Sequence, residues 1–218
     1  MVTANIVKGE IANDGRHPLV TVITPTYRRD PSVVRRCINC MMLQDNPDWE
    51  QLVCSDSVEE PNIRQMIASL GDSRVRYYNT SVKKAGDYGH TIRNELIKIA
   101  RGRYVMFFDD DNVISPNYVS KMVHAIESTG RDFAVCSIVH FGPLNIAETG
   151  PPPKVLTGVP LKLYHVDTLQ VMVRTGFMRE CGWNTEMGYV SDGYSIENLG
   201  IKSKNGYAVV SDVLGFHL

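Results

Sequence analysis

Apolar positions along the chain fall into short β-branched runs that alternate with longer segments of helical period. Leu19-Val-Thr-Val-Ile-Thr24 predicts a strand, Pro25 to Asp30 a turn, and Pro31 the start of a helix in which Val33, Val34, Cys37, Ile38, Met41 and Met42 recur at helical spacing. Gln51 to Ser55 predicts a second strand ending at Asp56, Pro61 to Leu70 a second helix closed by Gly71, and Val75 to Tyr78 a short third strand. A Gly-containing loop from Lys83 to Gly89 leads into a helix from His90 to Ala100, which Gly102 is placed to end. The apolar strand that follows, from Arg103 to Phe108, runs straight into Asp109, Asp110 and Asp111. Ser115 and Pro116 then offer an N-cap and first position for a helix to Ser128, with Gly130 as its stop.

After Gly130 the pattern changes. Phe133 to Phe141 predicts a strand, and residues 142 to 160 carry five prolines and three glycines, a long irregular loop of the functional kind. Leu163 to Val173 predicts a further strand, and the remainder mixes short helix with a last strand from Ala208 to Ser211. Strands alternating with helices predict an α/β fold, a Rossmann-like, mostly parallel sheet with helices on both faces, whose ligands bind at the carboxyl ends of the strands. Thr26, Asp56 and Asp109 all fall at such ends.

Composition narrows the class. With 218 residues, 43% of them hydrophobic, 22% charged and a formal net charge of −1, the chain reads as an ordinary globular protein with enough length for a full core. Lys and Arg are scattered rather than striped, which leaves no electrostatic footprint for nucleic acid. The first 18 residues lack an apolar signal core, and no stretch approaches the roughly 20 apolar residues that span a bilayer, so the expectation is a cytoplasmic protein that is not integral to a membrane. Five cysteines, an odd number, sit mostly in apolar periodic segments and read as reduced structural thiols. Cys37 and Cys40 have no second pair and no histidine pair at metal spacing, so a redox or zinc role is set aside.

Three consecutive carboxylates at the end of a buried strand repel one another and lose solvation. A divalent cation resolves that conflict: hard oxygen ligands suit Mg²⁺ or Mn²⁺, which commonly take their remaining ligands from water and a substrate diphosphate.

The order of these features resembles the GT-A glycosyltransferases, and glycosyltransferase family two in particular, from about Leu19 to Gly200. The resemblance rests on the opening strand with Pro25-Thr26-Tyr27-Arg28, on Asp56, on Ile92-Arg93-Asn94 followed by Ala100-Arg-Gly102, on Asp109-Asp110-Asp111 with Pro116 beyond, and on Gly182-Trp183 followed by Ser191-Asp192-Gly193. It implies one GT-A catalytic domain with a nucleotide-sugar donor half at about 19–130 and a smaller acceptor half at about 131–218. It also implies residue roles. Thr26 and Tyr27 meet the nucleotide base, Asp56 accepts from it, and Arg93 lies close to the donor diphosphate. Asp109 lies near the ribose or metal waters, Asp110 is the middle position of the cluster and counts with the donor-binding residues, Asp111 with Asp109 serves the metal, and His217 resembles a further metal ligand of some GT-A enzymes. Asp192 takes the place of the catalytic base, although Ser191 replaces the acidic residue that usually precedes it; Glu186 and Glu197 are the alternatives. Trp183 is either a wall for a sugar ring or a core aromatic.

The resemblance thus implies a metal-dependent inverting transferase that moves a hexosyl unit from a nucleotide-diphosphate sugar, UDP by family habit, to a hydroxyl of a glycan, lipid-linked or small-molecule acceptor. A homodimer is left open. The downstream Gln-x-x-Arg-Trp and membrane helices of processive synthases are missing, which favours single addition. The rival from another class is a non-catalytic module of the same fold that binds nucleotide-sugar or glycan without turnover. A nucleotidyltransferase ranks third, because the loop after the first strand lacks the glycines of a phosphate loop.

Overall fold

The computed structural model describes residues 6–7, 15, 17–56, 58–80, 87–142 and 152–218. Most of the loop predicted from Lys83 to Gly89, and residues 143–151 of the Pro-rich loop, lie outside them. In chain order the elements are β1 (Ile6–Val7), β2 (Val20–Thr26), α1 (Pro31–Met42), β3 (Trp49–Ser55), α2 (Pro61–Leu70), β4 (Val75–Thr80), α3 (His90–Ile99), β5 (Tyr104–Phe107), β6 (Val113–Ile114), α4 (Tyr118–Thr129), β7 (Phe133–His140), β8 (Lys154–Leu156), β9 (Val171–Arg174), α5 (Thr175–Cys181), α6 (Ser191–Lys202) and β10 (Tyr207–His217).

One sheet of order β1-β4-β3-β2-β5-β9-β7-β10-β6 runs through the molecule. β4, β3, β2 and β5 are parallel neighbours, as are β7 and β10, whereas β9 enters antiparallel between β5 and β7. Alternation along β2 sends Val20 and Val22 into the core beneath α1, α2 and α4, and Ile23 into the core beneath α3, α5 and α6. The fold is thus mixed α/β with helices on both faces, as the pattern predicts.

Local chemistry sets the boundaries. Asp30 caps α1 by accepting from the Ser32 N–H at 2.8 Å, with Pro31 as first residue. Gly102 is required where the chain passes β2: a Cβ there would lie 2.4 Å from the Thr21 nitrogen, and its N–H donates to Thr21 Oγ1 at 2.8 Å. At the amino ends of the strands, away from the acidic cluster, buried Glu50 accepts from Thr21 Oγ1 at 2.7 Å and Arg101 Nε at 2.9 Å and pairs with Arg76.

Four boundaries differ from the sequence expectation. α4 begins at Tyr118 rather than at Pro116: the Ser115 N–H is taken by the Leu214 carbonyl at 2.8 Å, and Gln44, just past the end of α1 on the same face of the sheet, caps the helix by accepting from the Val119 N–H at 3.0 Å. Of the strand predicted from Leu163, only Val171–Arg174 is extended: Asp167 accepts from the Leu169 N–H at 2.8 Å and forms a capping box around a single turn, Thr168–Gln170. The last strand runs far past Ser211, to His217, because irregularities after Val210 and Val213 absorb the polar stretch. Within the Pro-rich loop, Lys154–Leu156 forms a strand against β7. No described helix is long and apolar enough to cross a membrane.

Candidate active site

The carboxyl ends of β2, β3 and β5 open into a pocket of about 600 Å³. Thr26 ends β2 and is buried, Tyr27 follows half-exposed, and the backbone N–H of Asp56 donates to the Thr26 carbonyl at 2.9 Å, which ties the first two loops together. Asp109, Asp110 and Asp111 close the same pocket from β5, Arg93 enters from α3, and His217 arrives from the end of β10. Every residue that the sequence assigns to donor or metal is therefore on one cavity wall.

The three carboxylates do not share a fate. Asp110 is buried and accepts from Arg29 Nε at 3.0 Å; burial pushes its carboxyl up to about 6, with the Thr26 hydroxyl and Arg29 pulling the other way. Asp111, more exposed, pairs with the other arm of the same guanidinium, and its carbonyl accepts from Arg36 at 2.7 Å. Asp109 pairs with Arg93, whose side chain is buried and whose Nη1 donates to the Tyr88 carbonyl at 2.9 Å. The helix that carries Arg93 is set by Asp87, which accepts from the Thr91 N–H and hydroxyl at 2.8 Å each, and by Gly89, where φ is 78° and a Cβ would lie 2.7 Å from Pro25.

His217 sits in a stack. Its Nδ1 lies 3.0 Å from Asp167, its ring is 4.1 Å from that of His140 at 17°, and the Asp167 carboxylate holds the imidazole up at about 9 against its desolvation. Asp167 itself is driven below the usual carboxylate range by His217 despite its burial. His140, Asp167 and His217 each offer a ligand atom within 4.8 Å of the others. A metal must lie near the plane of each imidazole that binds it, and two stacked rings cannot both meet that condition, so this trio does not jointly hold one ion in the arrangement seen. With Nδ1 turned to Asp167, Nε2 is the nitrogen left to the pocket.

Asp192 stands in the first turn of α6, which begins at Ser191. Burial drives its carboxyl up to about 7, helped by the negative charge of Asp167, against the Gly193 N–H that donates to it at 2.7 Å and the charge of Arg93. Of the alternatives, Glu186 is exposed to solvent, and Glu197 lines a separate depression beside Trp183. Trp183 is core: it is 3% exposed, its indole packs 4.3 Å from Phe107, and its Nε1 donates to His90 Nδ1 at 2.9 Å.

Sequence reasoning missed Arg29, Asp167, Tyr88 and Tyr189. Arg29 had a signal, since the turn after the first strand carries two adjacent arginines opposite an acidic cluster. The others had none, because their neighbours come from distant segments.

A mostly parallel sheet with helices on both faces and acidic residues at the carboxyl end of β5 defines the class: the GT-A fold of nucleotide-sugar transferases. The chain belongs to glycosyl transferase family 2, whose model matches residues 21–179. Curated relatives include the putative colanic acid biosynthesis glycosyl transferase WcaA of Escherichia coli, 30% identical over 107 residues, 48% of this chain and 36% of the relative. Another is the UDP-Glc:alpha-D-GlcNAc-diphosphoundecaprenol beta-1,3-glucosyltransferase WfgD of Escherichia coli, 30% identical over 105 residues, 48% of this chain and 40% of the relative. The chain thus covers well under half of either. S. aureus TarS 1-349 in complex with UDP-GlcNAc superposes with a TM-score of 0.71 at 16% identity, over 90% of this chain and 57% of that one. The mannosyltransferase PcManGT of Pyrobaculum calidifontis, in complex with GDP-Man and Mn²⁺, does so with a TM-score of 0.62 at 13% identity, over 91% and 55%.

Proposed function

We propose that this chain is the catalytic part of a metal-dependent, inverting glycosyltransferase that moves a hexosyl unit from a UDP-sugar to an acceptor hydroxyl on a glycan, a lipid-linked saccharide or a small molecule. The observation that carries the reading is that, within one family 2 fold, the acidic cluster at the strand ends lies near enough to Asp192 for Asp109 and Arg93 to act on its carboxyl, which burial holds near neutrality. Residues 19–130 form the donor half and 131–218 the acceptor half. The uridine lies against Thr26 and Tyr27, with Asp56 accepting from its N3–H.

The donor set fits Mn²⁺ or Mg²⁺: hard carboxylate oxygens from Asp109 and Asp111, with His217 Nε2 as the remaining nitrogen. A bound divalent ion supplies charge that stabilises the leaving nucleoside diphosphate. Arg29 and Arg93, now paired with the cluster, turn to the diphosphate oxygens as charge-assisted donors. Asp192 takes the proton of the acceptor hydroxyl as that oxygen bonds to the anomeric carbon; the bond from that carbon to phosphate oxygen breaks on the opposite side, and configuration inverts. A carboxyl near 7 is matched to this work, because it is substantially ionised at neutral pH and still basic enough to accept the proton.

The test is thermal shift against UDP, GDP, dTDP and CMP, with and without Mn²⁺, on wild type and on Asp111→Ala, followed by turnover of the sugar nucleotide that binds. A metal-dependent shift for one nucleotide, lost in Asp111→Ala, supports the donor site. Binding without turnover in the presence of acceptors favours the non-catalytic module instead.

A further inference from the structure

Two tyrosines stand out from the pocket rim. Tyr88 is 62% exposed and Tyr189 is 66% exposed, more than any other aromatic residue among those described. Aromatic rings so exposed beside a pocket are unusual unless something covers them. They touch each other edge to face, with ring centroids 5.5 Å apart at 81°, and both line the pocket that holds the acidic cluster. Tyr88 comes from the loop before α3 and Tyr189 from the single turn before α6, so the pair bridges the donor and acceptor halves.

Their placement is set from behind. Tyr88 adopts a φ of 50°, uncommon for a side chain of its size, and that conformation is held by the Arg93 guanidinium on its carbonyl. Strain kept at a pocket rim, in a residue whose ring is left in solvent, points to a role for the ring. Tyr189 lies three residues before Asp192, and the Asp192 carboxylate is among the charges that raise its phenol. Two rings at 81° make a corner, with one face as floor and one as wall. The flat apolar C–H face of a pyranose packs on an aromatic face while its hydroxyls stay in water, whereas an open-chain polyol phosphate presents no such face.

We propose that Tyr88 and Tyr189 form the acceptor subsite and select a pyranose ring as the acceptor unit. The assignment rests on Asp192 as the base: the group that takes the acceptor proton touches the acceptor, and Tyr189 is the exposed aromatic of the same segment. The nucleotide, by contrast, lies at the ends of β2 and β3. Trp183, the aromatic that the sequence offers for this task, is buried and cannot serve.

Saturation-transfer NMR tests this with methyl β-D-glucopyranoside and methyl N-acetyl-β-D-glucosaminide as probes, glycerol 1-phosphate as the open-chain control, and UDP with Mn²⁺ present. Wild type, Tyr88→Ala, Tyr189→Ala and the two Phe variants are compared, with the thermal shift by UDP measured on each. The expected result is saturation of the pyranoside ring protons in wild type and both Phe variants, reduced about fivefold or more in both Ala variants, with the UDP shift unchanged throughout. Equal saturation in the Ala variants, or saturation of glycerol 1-phosphate as strong as that of the pyranosides, overturns the proposal. So does loss of the UDP shift together with the sugar signal, which would put the pair on the nucleotide side. Tyrosine-dependent pyranoside binding without any UDP shift in wild type would instead keep the subsite and sink the donor reading.

Discussion

Asp192 carries opposite demands. Its carboxyl is held near 7, well above the ordinary value near 3.9, so the native state binds more protons than the unfolded chain between those two values. Stability from this group therefore falls as pH rises through that window, while the ionised form that the proposed proton abstraction requires grows. Asp192→Asn is expected to lose roughly 10²–10⁴-fold in turnover and, above pH 7, to be more stable than wild type by on the order of 1–3 kcal/mol. Calorimetry at pH 4, pH 5 and pH 8 checks the sign: the gain should be full at pH 8, roughly a third of that at pH 5 and nearly gone at pH 4. In the wild type, kcat/KM should rise with pH through about 7. At this scale the sequence was legible where chemistry is local. The Asp109 to Asp111 run could be read because three adjacent carboxylates need compensation wherever they fold. Asp167 could not, because its partner His217 lies at the far end of the chain and only folding brings the two to 3.0 Å.

Elements were readable where their ends carry their own signals. Asp30 with Pro31 fixes α1, and Gly71 and Gly130 close α2 and α4 in left-handed conformations. The start of α4 was not readable, since its cap is the side chain of Gln44, more than 70 residues earlier in the chain, and the full length of β10 was hidden by Ser211 and Asp212. The amino ends of the strands depend on another non-local device, the buried Glu50 that serves Thr21, Arg76 and Arg101. Removing the charge from Glu50 leaves two arginines facing an uncharged amide. Glu50→Gln is therefore expected to cost about 3 kcal/mol in urea unfolding. Because this network lies at the end of the sheet away from the pocket, the affinity of the native protein for UDP, by titration calorimetry, should stay within about twofold of wild type. A large loss of UDP affinity would show that the two ends of the sheet are not independent.

Across the whole molecule, the parallel order β4-β3-β2-β5 follows from the alternation of strands and helices, because each right-handed crossover lays the next strand beside the last or the first. The antiparallel β9, which enters between β5 and β7, does not follow, since residues 108–170 separate it from β5 and the pairing leaves no periodic mark. That pairing decides how charge is distributed in the pocket. Thr168, in the turn that leads into β9, donates to Asp109 at 3.4 Å, and Arg29 and Arg93 already neutralise much of the acidic cluster. A cation arriving alone must compete with two guanidiniums. On the proposed function, a nucleoside diphosphate should draw those guanidiniums away and add ligands of its own. Mn²⁺ and UDP should therefore bind with positive coupling, each raising the affinity for the other by the same factor. Arg29→Ala separates the two contributions: relieved of a positive charge beside Asp110 and Asp111, the protein should bind Mn²⁺ alone roughly tenfold more tightly, and UDP in the presence of Mn²⁺ more weakly. Electron paramagnetic resonance of free Mn²⁺, titrated with and without UDP, reads both affinities. If Arg29→Ala weakens Mn²⁺ and UDP alike, the arginine is part of the cation's site rather than its competitor, and the exchange of partners between guanidinium, carboxylate and phosphate does not occur.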